Sequence, residues 1–406
     1  MLKKNTLWKT VNKLLLLGVF FLFTYCVTPP ATESTFHKPQ NSSEYYRDKD
    51  SILLTFAGDI MAHRPNYSTK PYSAIYADIE KYLKESTLSF ANLETPVTET
   101  RECSSYPEFN VHQDYALSAI EAGFNVFSLS NNHTSDQGLE GIKSTRDFFK
   151  STEDKTKKSL RPIFACGIKD SKNGPLTYRV IPCISESGEL WNVLFMAVTE
   201  VINRPDNKEW YDYIPPKERE REEFIENISE LKKTVNADLF VLSFHTSEPE
   251  YVREIQKGQR EFYYKLLENG VDVLWANHPH VAKEWEAVSY NREVPSKIVF
   301  FAQGNTISAQ RWEPDFSNPQ NERDYTGDGY ITQVRFIRNS EKKIQIAVIN
   351  PILITTYITP KWQFVIKVLD ENFIASLKDG GQKNWAAYME QRKKLMEKIK
   401  GKTTWL

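Results

Sequence analysis

Six short apolar runs along the chain each end on a cluster of polar side chains. SILLTFAGDI closes on Asp59, STLSFANLE on Asn92 and Glu94, and FNVFSLSNNH on Asn132 and His133. Further on, ADLFVLSFH closes on His245, VDVLWANHPH on His278 and His280, and KIVFFAQGN on Asn305. Runs of about six residues, rich in β-branched and aromatic side chains and apolar on both faces, predict strands buried on both sides.

Helical periodicity separates several of these runs. DYALSAIEAGFNV has helical apolar spacing and then Gly123, a C-cap ahead of the next strand. EREREEFIENISELKK sets Phe224, Ile228 and Leu231 on one face, and REFYYKLLENGVDV repeats the helix–glycine–strand order at Gly270. Helices alternating with buried strands predict an α/β fold. The tail differs: alternation at Ile344, Ile346 and Val348 follows a turn near Asn339–Ser340 and predicts antiparallel strands. NWAAYMEQRKKLMEKI then spaces Trp385, Tyr388, Leu395, Met396 and Ile399 as an amphipathic helix, so residues 358–406 read as a helical extension of a domain over 51–357.

Composition is that of an ordinary globular chain: 406 residues, 40% hydrophobic and 26% charged. A formal net charge of −1 supplies no global basic field and excludes nucleic acid as the expected partner. The beginning of the chain reads as an export signal. Lys3, Lys4, Lys9 and Lys13 precede the apolar stretch Leu14 to Val27, too short to span a bilayer and long enough for a signal h-region. Cys26 at its end resembles a lipobox cysteine, the site of lipidation, although Tyr25 stands where a small residue is usual. A lipidated Cys26, an uncleaved anchor and a cleaved signal remain three outcomes, and all place the protein outside the cytoplasm. Residues 27–50, rich in Pro, Ser, Thr and charge, read as a flexible tether. Cys103, Cys166 and Cys183 have neither disulfide-framework nor metal-site spacing and read as free thiols, with one bridge the most they could form.

Of the seven histidines, His133, His245, His278 and His280 stand at or just past predicted strand C-termini. Sites in open α/β sheets form beyond those ends, so Asp59, Glu94 and Asn132 are expected to meet the four histidines there. That mixture of carboxylate, imidazole and amide suits divalent metals. Singly, each residue has a plainer explanation as a cap, a turn or a satisfied polar group; the convergence of five strand tips does not.

The motifs GDIMAHR (58–64), NLETPVT (92–98), SNNHTSDQGLEGI (130–142), NHPH (277–280) and QGNTI (303–307) occur in an order that resembles the CapA/PgsA bacterial capsule-synthesis family, associated with poly-γ-glutamate. That family is in turn similar to calcineurin-like metallophosphoesterases, which implies a four-layer α/β/β/α sandwich and a centre of one or two divalent ions such as Mn, Fe or Zn. Carried over by residue, the resemblance makes Asp59 and His280 first-metal ligands and Glu94 the bridging carboxylate. Asn132, His245 and His278 become second-metal ligands, and His133 faces the leaving group. Met61 stands where phosphoesterases have a histidine ligand, with His63 a further candidate nearby. The family's HWGxE pattern reads HTSEPE here, and Glu248 is matched to its acid. Arg64 and Glu248 are the expected substrate-binding residues. The implied function is an exported, lipid-anchored protein at the cell envelope with a metal-dependent phosphoesterase-like site, its cationic cleft taking a phosphoester or an anionic polymer. The alternative is a non-enzymatic surface component of a polymer synthesis or export machine, with membrane proteins of that machine as partners.

Overall fold

A computed structural model describes residues 45–290 and 293–406. The stretch expected to be an export signal, its candidate lipidation residue Cys26 and residues 27–44 of the expected tether lie outside these described residues. The strands, in chain order, are β1 (Ser51–Ile60), β2 (Leu88–Leu93), β3 (Val126–Ser128), β4 (Phe164–Cys166), β5 (Tyr178–Ile184), β6 (Leu190–Thr199), β7 (Leu239–His245) and β8 (Val273–Asn277). They continue as β9 (Trp285–Ser289), β10 (Lys297–Phe300), β11 (Asn305–Ile307), β12 (Asp328–Arg338), β13 (Ile344–Ile358), β14 (Phe364–Val368) and β15 (Gly401–Trp405).

Two sheets form. One has the order β14-β13-β12-β1-β2-β3-β4, with β11 also paired to β1; the other has the order β15-β9-β10-β8-β7-β6-β5. In the middle of each sheet the strands run parallel: β1 with β2 and β2 with β3, and β6 with β7, β7 with β8 and β8 with β10. Parallel neighbours end on the same edge, so their terminal side chains are brought side by side.

The buried residues sort into layers by strand alternation. Ile52, Leu54, Phe56, Phe90 and Val126 of the first sheet meet Trp191, Val193, Phe195, Val241 and Trp275 of the second in one cluster between the sheets. On the far side of the first sheet, Ala57, Ile60, Ala91 and Phe127 pack with Tyr115, Ala119, Phe148 and Phe149 from helices Gln113–Ala122 and Gly138–Thr156. On the far side of the second, Leu194, Phe240, Leu242 and Phe244 pack with Phe224, Ile228, Phe262 and Leu266 from helices Glu218–Thr234 and Lys257–Glu268. The result is helix, sheet, sheet, helix. The sheets are also pinned by polar contact, since Trp275 Nε1–H donates to the Ala57 carbonyl at 2.8 Å.

The predicted strand runs and interleaved helices occur near where the apolar pattern placed them, although β3 spans only three residues and Asn305 opens β11 instead of closing the run at Lys297–Phe300. β12 and β13 are antiparallel around a turn in which Lys342 N–H donates to the Asn339 carbonyl. The ends of the domain lie further out than the sequence indicated. Tyr46 is buried, and Asp50 accepts from Trp191 Nε1–H at 2.6 Å, so residues 45–50 pack on the domain. The expected helical extension contains helix Lys383–Met396, but β14 extends the first sheet and β15 the second. β14, FVIKV, is a short apolar run whose strand character sequence reasoning passed over, whereas β15, GKTTW, carries little apolar signal. Cys103, Cys166 and Cys183 are free, and burial raises the thiols of Cys166 and Cys183 to about 12.

The terminal helix is fastened by a buried charge cluster. Asp328 on β12 accepts from Arg311 Nη1–H at 2.7 Å and from Arg392 Nε–H at 2.6 Å. Burial alone would raise its pKa, but the two guanidiniums hold it below the usual carboxylate range. Replacing Asp328 by Ala strands two buried cations and is predicted to cost about 3–5 kcal/mol. The exposed pair Lys257–Glu261, broken by Glu261→Ala, should cost only about 0–1 kcal/mol. Urea unfolding of the two variants checks this, and equal losses would contradict it.

Candidate metal centre

Asp59 ends β1 at an unusually tight approach between backbones. A Cβ on the preceding Gly58 would sit 1.8 Å from the Gly304 carbonyl oxygen, so only glycine lets β1 lie against the 303–305 turn there. Asp59 N–H donates to that carbonyl at 3.1 Å, which fixes the carboxylate's starting point. Its Oδ1 accepts from Asn92 Nδ2–H at 2.8 Å, and its Oδ2 lies 3.3 Å from His280 Nδ1 and accepts from His278 N–H at 3.3 Å.

Glu94, just beyond β2, is fully buried. Its Oε1 has no hydrogen-bond partner; the nearest ring nitrogens are His245 Nε2 at 3.8 Å and His280 Nε2 at 3.9 Å. Burial, and secondarily the charge of Asp59, pushes its pKa well above the ordinary value. The second sheet supplies the imidazoles. His245 ends β7, with Nε2 at 2.9 Å from Asn132 Oδ1. His278 follows β8 at φ 96°, a conformation costly for a side-chain-bearing residue, and its Nδ1 is buried without a partner. Burial, and then neighbouring imidazoles, lowers the pKa of both His245 and His278 well below the ordinary value. Both are therefore neutral; the His278 Nδ1 lone pair is free to ligate, whereas His245 has Nε2 against Asn132 Oδ1 and Nδ1 3.3 Å from Asn92 Nδ2.

Orphaned polar atoms at Glu94 Oε1 and His278 Nδ1 are the mark of a site completed by something other than protein. Donor atoms of Glu94, His278 and His280 lie within 4.8 Å of one another, as do those of Asp59, Glu94 and His245. Glu94 belongs to both groups, as a bridging carboxylate would. The donor set of carboxylate oxygen and imidazole nitrogen fits a divalent ion.

His133 stands apart from these groups. Its Nδ1 is 2.6 Å from Asp136 Oδ2, which also accepts from Phe109 N–H at 2.8 Å. With Oδ2 taken as an acceptor, the proton is assigned to Nδ1 and Nε2 is left for other work. Asn203 Nδ2 lies 3.3 and 3.4 Å from the two ring nitrogens, and Phe109 packs edge-on at 4.6 Å. Burial raises the pKa of Asp136, while the hydrogen bond from His133 opposes that rise.

A cavity of about 290 Å³ opens in front of these groups, lined by Asn132, His133 and His280 among others. Met61 and His63 line it too. His63 Nδ1 accepts from Ala309 N–H at 3.3 Å, and burial lowers its pKa to about 3. His63 is in neither group of clustered donors.

The two expected substrate-binding residues are elsewhere. Arg64 is exposed and does not line the cavity; its backbone N–H donates to Ser105 Oγ. Glu248 is buried in a 2.9 Å pair with Lys283, with Oε1 accepting from Gln256 N–H. The acid that does reach the cavity is Glu250, two residues further on. The lining residues include no lysine or arginine, so positive charge in the expected cationic cleft would have to come from bound ions. Sequence reasoning passed over Asn92, whose Nδ2 reaches Asp59, and Asp136, which holds His133. Asn92 was visible as a strand tip. Asp136 was visible only as the residue one helical turn after His133.

The family model for "Bacterial capsule synthesis protein PGA_cap" matches residues 53–310. The chain is similar to the capsule biosynthesis protein CapA of Bacillus anthracis, at 26% identity over 66% of this chain and 62% of that protein. It is similar to the PGA biosynthesis protein CapA of Bacillus subtilis (strain 168) at 25% identity, over 65% of each chain. Each match spans less than two thirds of the relative's length. Among solved structures, a putative 5′-nucleotidase from Staphylococcus aureus aligns with 74% of this chain and 54% of its own, at TM-score 0.43 and 13% identity. The calcineurin-like phosphoesterase YfkN of Bacillus subtilis aligns with 84% of this chain and 99% of its own, at TM-score 0.42 and 10% identity.

His278→Ala is predicted to lose bound divalent metal, whereas His63→Ala keeps it. Elemental analysis of the purified variants, with thermal melts to confirm folding, decides the matter. Metal lost from the His63 variant alone would reverse the assignment.

Proposed function

The chain belongs to the bacterial capsule synthesis PGA_cap family, and from that premise we propose that it is an exported, metal-dependent phosphoester hydrolase serving the assembly of a cell-envelope polymer. The observation that carries the proposal is the shared position of Glu94 in two groups of donor atoms, with Oε1 buried and unpartnered. Asp59, Glu94, Asn132, His245, His278 and His280 would hold the ions. When bound, one or two divalent ions supply Lewis-acid polarisation and a water acidic enough to attack phosphorus near neutral pH.

The chain's own residues do the rest. Asp59 and Glu94 provide negative charge that selects cations over anionic competitors. Asn92 Nδ2, between Asp59 Oδ1 at 2.8 Å and Glu94 Oε2 at 3.5 Å, keeps the two carboxylates from turning away. The pair Asp136–His133 forms a positioned acid. Asp136 would hold the ring by Nδ1 and offset the positive charge when Nε2 takes up a second proton from solvent, the proton that Nε2 then passes to the leaving oxygen. The aromatic edge of Phe109 and the Asn203 amide fix the ring's plane.

A second reading keeps one supporting observation. Met61, two residues after Asp59, lines the cavity and offers no nitrogen ligand to an ion. That favours a non-enzymatic component of a polymer synthesis or export machine, with the metal for stability. Export and attachment through Cys26 belong to the proposal on the strength of the leader sequence. Among the described residues no helix is long and apolar enough to cross a membrane. Fatty-acid labelling that persists in Cys26→Ala would remove the anchor from the account.

The His133→Ala variant separates the readings. It is predicted to keep its metal and fold while turnover of a phosphoester falls by roughly 10²–10⁴. Metal-loaded wild-type protein that hydrolyses no phosphoester, in cells where His133→Ala still gives full polymer yield, would leave the scaffold reading standing.

A further inference from the structure

We propose that the cavity in front of the ligand cluster binds a neutral, hydroxylated ring, so that the leaving group is a sugar rather than an acidic chain. The word "leaving" rests on the hydrolase reading; the ring site itself is a claim about binding.

Two large aromatic side chains line this cavity yet are mostly open to solvent: Tyr106 is 72% exposed and Tyr251 55%. An exposed ring at the mouth of a cleft offers an uncovered apolar face, and such faces take up the face of another ring. Tyr251 is held in place. Its hydroxyl accepts from Gln310 Nε2–H at 3.5 Å, and Gln310 Oε1 in turn accepts from Asn305 Nδ2–H at 2.8 Å. Its ring centroid lies 6.1 Å from that of His280, so whatever packs on it is next to the ligand cluster.

Charge chooses among possible rings and chains. The cavity lining holds Glu250 and no lysine or arginine. Glu250 is anchored through its carbonyl, which accepts from His280 N–H at 2.8 Å, and it lines the cavity together with His280 and Tyr251. A carboxylate-bearing leaving group would meet Glu250 with no lysine or arginine in the same lining, while Arg323 lines the adjoining pocket that shares Tyr251 and Gln310. A hydroxyl would donate to it, and a hydrogen bond to an ionised acceptor is of the stronger kind. Apolar face plus carboxylate is the complement of a sugar, whose C–H face is apolar and whose rim is hydroxyl. The volume of about 290 Å³ is near the lower bound of about 300 Å³ for small-molecule pockets, enough for one ring and a phosphoryl group.

Saturation-transfer NMR on the full metal-loaded chain tests this with the methyl glycosides of glucose, galactose and N-acetylglucosamine. Glutarate and adenosine serve as the acidic and base-stacking comparisons. At least one glycoside should bind. Tyr251→Ala and Tyr106→Ala should each weaken that binding by about tenfold. Glu250→Gln should weaken it too while strengthening glutarate. Metal content and melting temperature are recorded for each variant, so that a variant that has lost its ions or its fold is replaced by Tyr251→Leu. No glycoside binding, binding unchanged in the tyrosine variants, or preference for glutarate or adenosine over every glycoside would overturn the proposal. Glycoside binding without any phosphoester turnover would leave the ring site intact and remove the hydrolase. Turnover without glycoside binding would do the reverse.

Discussion

Two carboxylates, Asp59 and Glu94, are buried together at the joint ends of a parallel sheet, and their neighbours are imidazoles kept neutral by the same burial. Like charges in a low-dielectric site repel strongly. The protein answers with amide and backbone donors, above all Asn92 and the His278 N–H. Glu94 Oε1 still has no donor, and the most economical resolution is a bound cation. Much of the architecture follows from this arrangement. Asp59, Glu94 and Asn132 come from the first sheet and its loops, while the histidines of the cluster come from the second. The distance between the sheets therefore sets the distance between ligands. The ring contacts Phe56–Trp275 and Phe90–Phe195 between the sheets and the Trp275 bond to the Ala57 carbonyl fix that spacing.

The parts of this fold that were legible in the sequence are those buried on both faces. β1, β2, β7 and β8 are continuous apolar runs because sheet lies on one side and helix on the other, and their polar ends stand out sharply against them. The convergence of Asp59, Glu94, Asn132, His245, His278 and His280 could thus be anticipated from strand ends alone. β14 and β15 join sheet edges, and β15, GKTTW, has no alternation to read. Among site residues, Asp136 acts through His133, and Asn203 reaches the site from a loop without regular structure. Neither carries a periodic signal. Glu248 shows the opposite error. A motif match put an acid beside His245 and could not say which way its side chain turns; Lys283 takes it inward, and Glu250 faces the cavity.

That last correction changes the functional picture. With no lysine or arginine in the lining, bound ions would, on the proposed reading, be the chief source of attraction for a phosphoryl group, with the tyrosines and Glu250 sorting what is attached to it. A role in making a capsule is then compatible with chemistry on a small glycosyl phosphoester rather than on the finished chain. The family membership and the cavity lining agree without requiring the polymer itself to enter.

Anomalous X-ray scattering from crystals grown with manganese tests the centre of this account most directly. The account predicts one or two anomalous peaks within coordination distance of Glu94 Oε1, with His278 or His280 as a further ligand. No peak at Glu94 while manganese is present in solution, or peaks confined to surface carboxylates, would contradict it and would leave the buried carboxylate to be explained as a protonated acid.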